Sequence, residues 1–107
     1  MLNIRFFIWI LLLTFCEVAD TYAQHPDTWI NKLNFSGSSR FGSVGFSIGN
    51  KGYFGTGFDD SYYYNDFWEF DPVTNAWTQK ADFGGTARSQ ATGFSIGTKG
   101  YIGTGIN

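Results

Sequence analysis

Cysteine, histidine and proline are nearly missing from this 107-residue chain, which holds one Cys, one His and two Pro. A lone Cys16 excludes a disulfide framework. His25, the only histidine, has no second His and no Cys near it with the spacing of a metal site, so neither a metal nor another cofactor is expected. Few prolines beside many glycines and aromatics argue against disorder and against a helical bundle. Lys and Arg are never clustered, and the formal net charge is −2, which removes the electrostatic footprint of a nucleic-acid binder. Apolar runs are short too. The longest, Phe6 to Phe15, covers ten residues where a membrane-spanning helix needs about 20.

That run follows Arg5 and precedes the small residues Thr21 and Ala23. A basic start, a short apolar core and a small-residue end form a secretory signal peptide, residues 1–23, with the cut before Gln24. The chain is therefore expected outside the cytoplasm, in the periplasm, at the cell surface or beyond it. A lipoprotein alternative, acylated at Cys16, places bulky Phe15 where a small residue normally stands. With the signal removed, residues 24–107 keep all 14 glycines and no cysteine.

What remains is repetitive. Phe46-Ser47-Ile48-Gly49 returns as Phe94-Ser95-Ile96-Gly97, Lys51-Gly52-Tyr53 as Lys99-Gly100-Tyr101, and Gly55-Thr56-Gly57 as Gly103-Thr104-Gly105. Arg40 matches Arg88 and Trp29 matches Trp77, every offset being 48 residues. Residues 40–59 and 88–107 agree at 12 of 20 positions, too many for coincidence. Alternation of Val44, Phe46 and Ile48 with smaller residues predicts a first strand. Gly49–Gly52 is a tight hairpin, Tyr53–Gly57 a second strand and Phe58–Asn65 a longer loop. Asp66–Phe70 is a third strand, Asp71-Pro72-Val73-Thr74-Asn75 a turn with Pro72 at its second position, and Ala76–Lys80 a fourth strand. Four short antiparallel strands in about 50 residues make an all-β fold of the propeller-blade kind.

These residues resemble the Kelch repeats, especially those of secreted bacterial proteins. The resemblance rests on Arg40, on Gly52-Tyr53 with its copy Gly100-Tyr101, on Gly55 and Gly57 with their copies Gly103 and Gly105, and on Phe70-Asp71-Pro72-Val73-Thr74-Asn75-Ala76-Trp77. It covers residues 29–107. One departure is Gly55-Thr56-Gly57, where the family usually has a Gly-Gly doublet. The resemblance implies an incomplete β-propeller of about one and a half blades: an outer strand and linker in 29–39, a full repeat in 40–87 and a half repeat in 88–107. Seven strands fall short of the about four to eight four-stranded blades that close a propeller. Copies joined into a ring would lack a third strand at every junction, so a truncated reading frame without independent function is one reading. Unpaired strand edges are expected to promote self-association.

No catalytic constellation is present, and the chain is read as a non-enzyme. Kelch-type folds include galactose-oxidase-like and sialic-acid-epimerase-like enzymes, so a carbohydrate-active enzyme with its catalytic residues elsewhere is the alternative. The oxidase chemistry needs a cysteine cross-linked to tyrosine, which residues 24–107 cannot supply. Asp59, Asp60 and Asp66 lack the spacing of a calcium loop and read as turn formers. Asn34-Phe35-Ser36 fits a glycosylation acceptor, a short and weak pattern. Arg40 and Arg88 are expected to bond backbone carbonyls between blades, and Trp29, Trp68 and Trp77 to be core. The principal reading is an exported binding module for a protein or glycan. Of the two loop faces, the one carrying Phe58–Asn65 and Asp82–Arg88 is the richer. Tyr62, Tyr63 and Tyr64 cannot all face inward from one extended loop, so they are the expected contacts, with Arg88 as a weaker one. The alternative is a loop folded back on the sheet edge.

Overall fold

Six five-residue strands, each antiparallel to its neighbour, account for the regular structure of the computed structural model, which describes residues 28–107. They are β1 (Val44–Ile48), β2 (Lys51–Gly55), β3 (Phe67–Asp71), β4 (Ala76–Lys80), β5 (Thr92–Ile96) and β6 (Lys99–Gly103). β1 to β4 form one sheet in sequence order, and β5 pairs with β6 in a second. The described residues contain no helix, so the all-β expectation holds. The expected signal, residues 1–23, and Cys16 and His25 lie outside the described residues.

β1 and β4 have their expected bounds, while β2 and β3 are displaced. The first hairpin loop has only two residues, because Ile48 pairs directly with Lys51. Gly49 takes φ +59°, and so does its copy Gly97 at +57°. Positive φ at the first of two loop residues is what a glycine supplies. The second position needs none, which is why Asn50 can be Thr98 in the copy. Lys51 and Gly52 thereby join the ladder. At the far end Thr56 turns to φ +57° and takes itself and Gly57 out of the strand. Asp71 pairs with Ala76, while its Oδ1 accepts the N–H groups of Val73 and Thr74 at 2.9 and 3.4 Å. That fixes the turn, and Asn75 closes it at φ +53°.

Alternation gives the four-stranded sheet two aromatic faces. On one, Phe46, Tyr53 and Phe67 meet with ring centroids 5.8–5.9 Å apart. On the other, Phe54, Trp68, Phe70 and Trp77 are roofed by Phe35, which sits 4.8 Å from Phe54, 5.4 Å from Trp68 and 5.2 Å from Trp77. Trp68 and Trp77 are thus half-buried in packing, as expected. The two sheets touch through β1, whose Val44 and Phe46 lie on Gly93 and Gly100 of the second sheet. A Cβ on either glycine would fall inside 3.0 Å of those side chains, so the sheets approach as closely as they do because both positions are bare.

Trp29–Leu33, expected as an outer strand, is not one. Strand geometry persists where a ladder satisfies the backbone, and Leu33 is held instead by side chains. Its N–H donates to Asn75 Oδ1 at 2.9 Å, and its carbonyl accepts from Trp77 Nε1 at 3.1 Å. Trp29, expected as core, is 98% exposed.

Candidate functional site

The loops that follow β2 and β4 leave the sheet at the same end, and backbone hydrogen bonds tie them together. Phe83 N–H donates to Asn65 O at 2.7 Å, Arg88 N–H to Tyr64 O at 3.2 Å, and Gly57 N–H to Arg88 O at 2.7 Å. One rigid surface results, built from both repeats.

Within it the three tyrosines have different fates. Asp59 Oδ1 accepts the N–H groups of Ser61 at 3.1 Å and Tyr62 at 2.8 Å, which fixes the loop backbone as an Asx turn does. Tyr62 then projects into solvent and is 70% exposed. Tyr63 lies against Phe58 with ring centroids 4.6 Å apart. Tyr64 faces inward. Its hydroxyl donates to Asp59 Oδ2, and the Arg40 guanidinium sits 3.7 Å above its ring. The hydrogen bond from Tyr64, then that from the Tyr62 amide, holds the Asp59 carboxyl below the usual range. The loop therefore does both things the sequence allowed: one ring projects, and the rest of the segment folds back.

Arg40 is nearly fully buried. Nη1 and Nη2 form a two-pronged ion pair with the carboxylate of Asp66, Nε donates to Ser38 O at 3.0 Å, and Nη1 also donates to Thr56 O at 3.2 Å. Arg88 repeats the backbone part, donating to Thr86 O at 2.9 Å and Thr104 O at 2.7 Å. Both guanidiniums thus bond one carbonyl on each side of a repeat boundary, Ser38 and Thr56 for Arg40, Thr86 and Thr104 for Arg88. Backbone bonds add further links between the repeats, from Arg88 to Tyr64 and Gly57 and from Gln90 N–H to Gly42 O at 2.7 Å. Burial pushes the Asp66 carboxyl up, but hydrogen bonds from Arg40 and Trp68 and the Arg40 charge together outweigh it, and the net displacement is downward. Asp66 is therefore an arginine partner and not a turn former. Asp60 does turn the chain, at φ +74°. Among the described residues no group of three His, Cys, Asp or Glu side chains is placed to hold a metal.

A cavity of about 510 Å³ at this end is lined by Ser39, Arg40, Phe41, Asp59 and Asp60. Phe41, half exposed, packs edge-on against Phe58 with centroids 5.5 Å apart, so aromatic surface continues from Tyr62 and Tyr63 to Phe41. Sequence reading passed over Phe41 and Phe58. A signal for them existed: six of the eight positions where the two repeats differ are 41–44, 58 and 59, all at this end. A second cleft, about 460 Å³, opens between the sheets among Phe46, Tyr53, Phe67, Phe83 and Tyr101.

Charge on the sheet itself is arranged across strands. Glu69 in β3 accepts from Lys51 Nζ at 2.9 Å and from the Tyr53 hydroxyl at 2.8 Å, and Lys80 Nζ lies 3.5 Å away. The hydrogen bonds from Lys51 and then Tyr53 lower the Glu69 carboxyl to about 2 from its ordinary 4.5. A carboxyl lowered by folding stabilises the fold above its unfolded value and loses that contribution as pH falls through its folded value. Stability should thus decline between pH 4.5 and about 2. Solvent screens such pairs, so the Glu69 share of the loss in Tm should not exceed roughly 8 °C. In Glu69→Gln, thermal unfolding followed across this range should show a shallower decline. Asp59 and Asp66, also held low, should preserve a remainder of the slope. An unchanged slope would remove Glu69 from the account.

No protein-family model matches the sequence, and no curated protein matches it significantly.

Proposed function

We propose that the chain is an exported, Kelch-type β-propeller module that binds a protein or glycan outside the cytoplasm. Support for the architecture comes from the 48-residue repeat, the up-and-down order of β1 to β4 and the face-to-face approach of the two sheets. The observation that carries the binding reading is Tyr62, which the Asx turn at Asp59 holds exposed beside Tyr63 and Phe41. An aromatic ring kept in solvent by a fixed backbone loses little entropy when it stacks on a sugar or fills a protein pocket. Arg88 has a lesser part, because its guanidinium is engaged with Thr86 and Thr104.

A panel of immobilised oligosaccharides and one of extracellular proteins, each probed with the full chain expressed for export, tests this reading. Tyr62→Ser should weaken the strongest binding about thirtyfold, the size of a central aromatic contact. Val73→Ser, in the exposed β3–β4 turn at the opposite end, should leave it unchanged. Full binding by the Tyr62 variant, or loss in the Val73 variant alone, would place the contact at the wrong end.

A further inference from the structure

Apart from Val44, whose copy is Thr92, the contact between the two sheets is built from residues that the repeat supplies twice, and one set of each is left over. In the contact, Val44 and Phe46 lie on Gly93 and Gly100, with Ile48 also close to Gly100. The copies of Phe46 and Ile48 are Phe94 and Ile96, which are 51% and 64% exposed on the outer face of the second sheet. The copies of Gly93 and Gly100 are Gly45 and Gly52. On those two, a Cβ would meet nothing nearer than 3.5 Å and 3.9 Å respectively. The molecule therefore carries the apolar half of the contact open on one side and the glycine half open on the other. Even the flanking ring recurs. Phe83 lies beside Gly100 in the cleft between the sheets, and its copy Phe35 lies on the face of the first sheet that bears Gly45 and Gly52.

We infer that a second copy of this chain docks here head to tail, with Phe94 and Ile96 of one copy seated on Gly45 and Gly52 of the next. The occupant is another copy because the contact it would form already exists within the chain at the 48-residue offset, with Thr92 standing where Val44 does. The docking uses only strands equivalent to β1, β2, β5 and β6, so it does not require a third strand beside β6. Such a contact joins two different patches, which makes it heterologous, and it propagates until a ring closes or a filament grows. It is also a face-to-face contact, distinct from pairing of strand edges.

Sedimentation velocity of the full chain, expressed for export, tests the inference over a concentration series. Wild type should show species that grow with concentration. Gly45→Ala with Gly52→Ala adds two methyl groups that the isolated fold accommodates and that a seated Phe94 and Ile96 cannot. This double variant should associate roughly a hundredfold more weakly and keep the wild-type circular dichroism. Phe94→Ser with Ile96→Ser should do the same from the other side. An equimolar mixture of the two double variants retains one apolar half and one glycine half, so it should form one-to-one dimers and nothing larger. Monomeric wild type throughout the series would overturn the inference. So would association of the glycine variant at wild-type strength, the result expected of edge pairing. If the Phe94 and Ile96 variant does not fold, the glycine variant decides alone.

Discussion

Arg40→Met should cost about 3–5 kcal/mol of folding stability, the loss typical when one member of a buried ion pair is removed. The substitution keeps much of the side chain's length and apolar stem. It deprives Asp66 of both its guanidinium bonds, takes a donor from the Ser38 and Thr56 carbonyls, and leaves the Tyr64 ring without its cation. Among the described residues, the Trp68 indole at 2.9 Å and Asp66's own backbone are what still serve the carboxylate. Small proteins are stable by about 0.05–0.15 kcal/mol per residue. For the unit Asn31–Asn107 that is only about 4–12 kcal/mol, so this one change should unfold a large part of the population. Arg88→Met is the internal control, because Arg88 bonds two exposed carbonyls and no carboxylate. It should cost about 1 kcal/mol. Trp68 and Trp77 report on the sheet, so urea unfolding followed by tryptophan fluorescence measures both variants. Equal losses would show that the Asp66 pair contributes nothing beyond the carbonyl bonds. In Arg40→Met with Asp66→Asn, the loss should be smaller than the sum of the single losses, since no unpaired charge remains.

Gly57→Ala should be nearly as damaging, at roughly 4 kcal/mol from strain and overpacking together. Gly57 is buried at φ +107°, well beyond the left-handed region that Asn or Asp tolerates. A Cβ there would fall inside 3.0 Å of the Ser43 hydroxyl and at 3.0 Å from the Phe41 carbonyl. The backbone has no freedom to relieve this, because Gly57 N–H is bonded to Arg88 O and its carbonyl accepts Tyr64 N–H at 2.8 Å. Shifting Gly57 would therefore loosen both the tyrosine loop and the link between repeats. Gly52→Ala, in the same strand region with open space around it, should change stability by no more than a few tenths of a kcal/mol. Similar urea midpoints for the two alanine variants would refute the assignment of Gly57 as a strained hub.

Repetition and local turn chemistry made much of the fold legible, and what depends on contacts between distant residues stayed hidden. β1 and β4 could be bounded because alternation and the Asp71–Asn75 turn act locally. Thr56 misled, because a β-branched residue between glycines reads as strand. Here Thr56 is fully buried at φ +57°, and its exposed copy Thr104 takes φ +62°, so the left-handed turn recurs with the repeat against the preference of a β-branched residue. Arg40 was recognisable as a structural residue, but its partner Asp66 was not. They are 26 residues apart, and the second repeat in this sequence has no counterpart of Asp66 to expose the pairing. The candidate face was legible as loops. Which tyrosine projects from it depends on the Asx turn at Asp59, a bond from one side chain to two amides that residue types alone do not predict.

The unequal size of the two sheets sets how the backbone exchanges its hydrogens with solvent. β2 is bonded on both sides, by β1 and β3, whereas among the described residues β5 and β6 pair only with each other and rest on β1. A lone two-stranded hairpin is marginal in water, so β5–β6 can lift away in a partial opening while the larger sheet stays intact. Amides in the hairpin should trade deuterium at the rate of that partial opening, and those of β2 and β3 only when the whole sheet comes apart. One bare contact at Gly93 and Gly100 thereby divides a short chain into a quick end and a slow middle. A neighbouring copy resting on Phe94 and Ile96 would slow the quick end and leave the middle as it was.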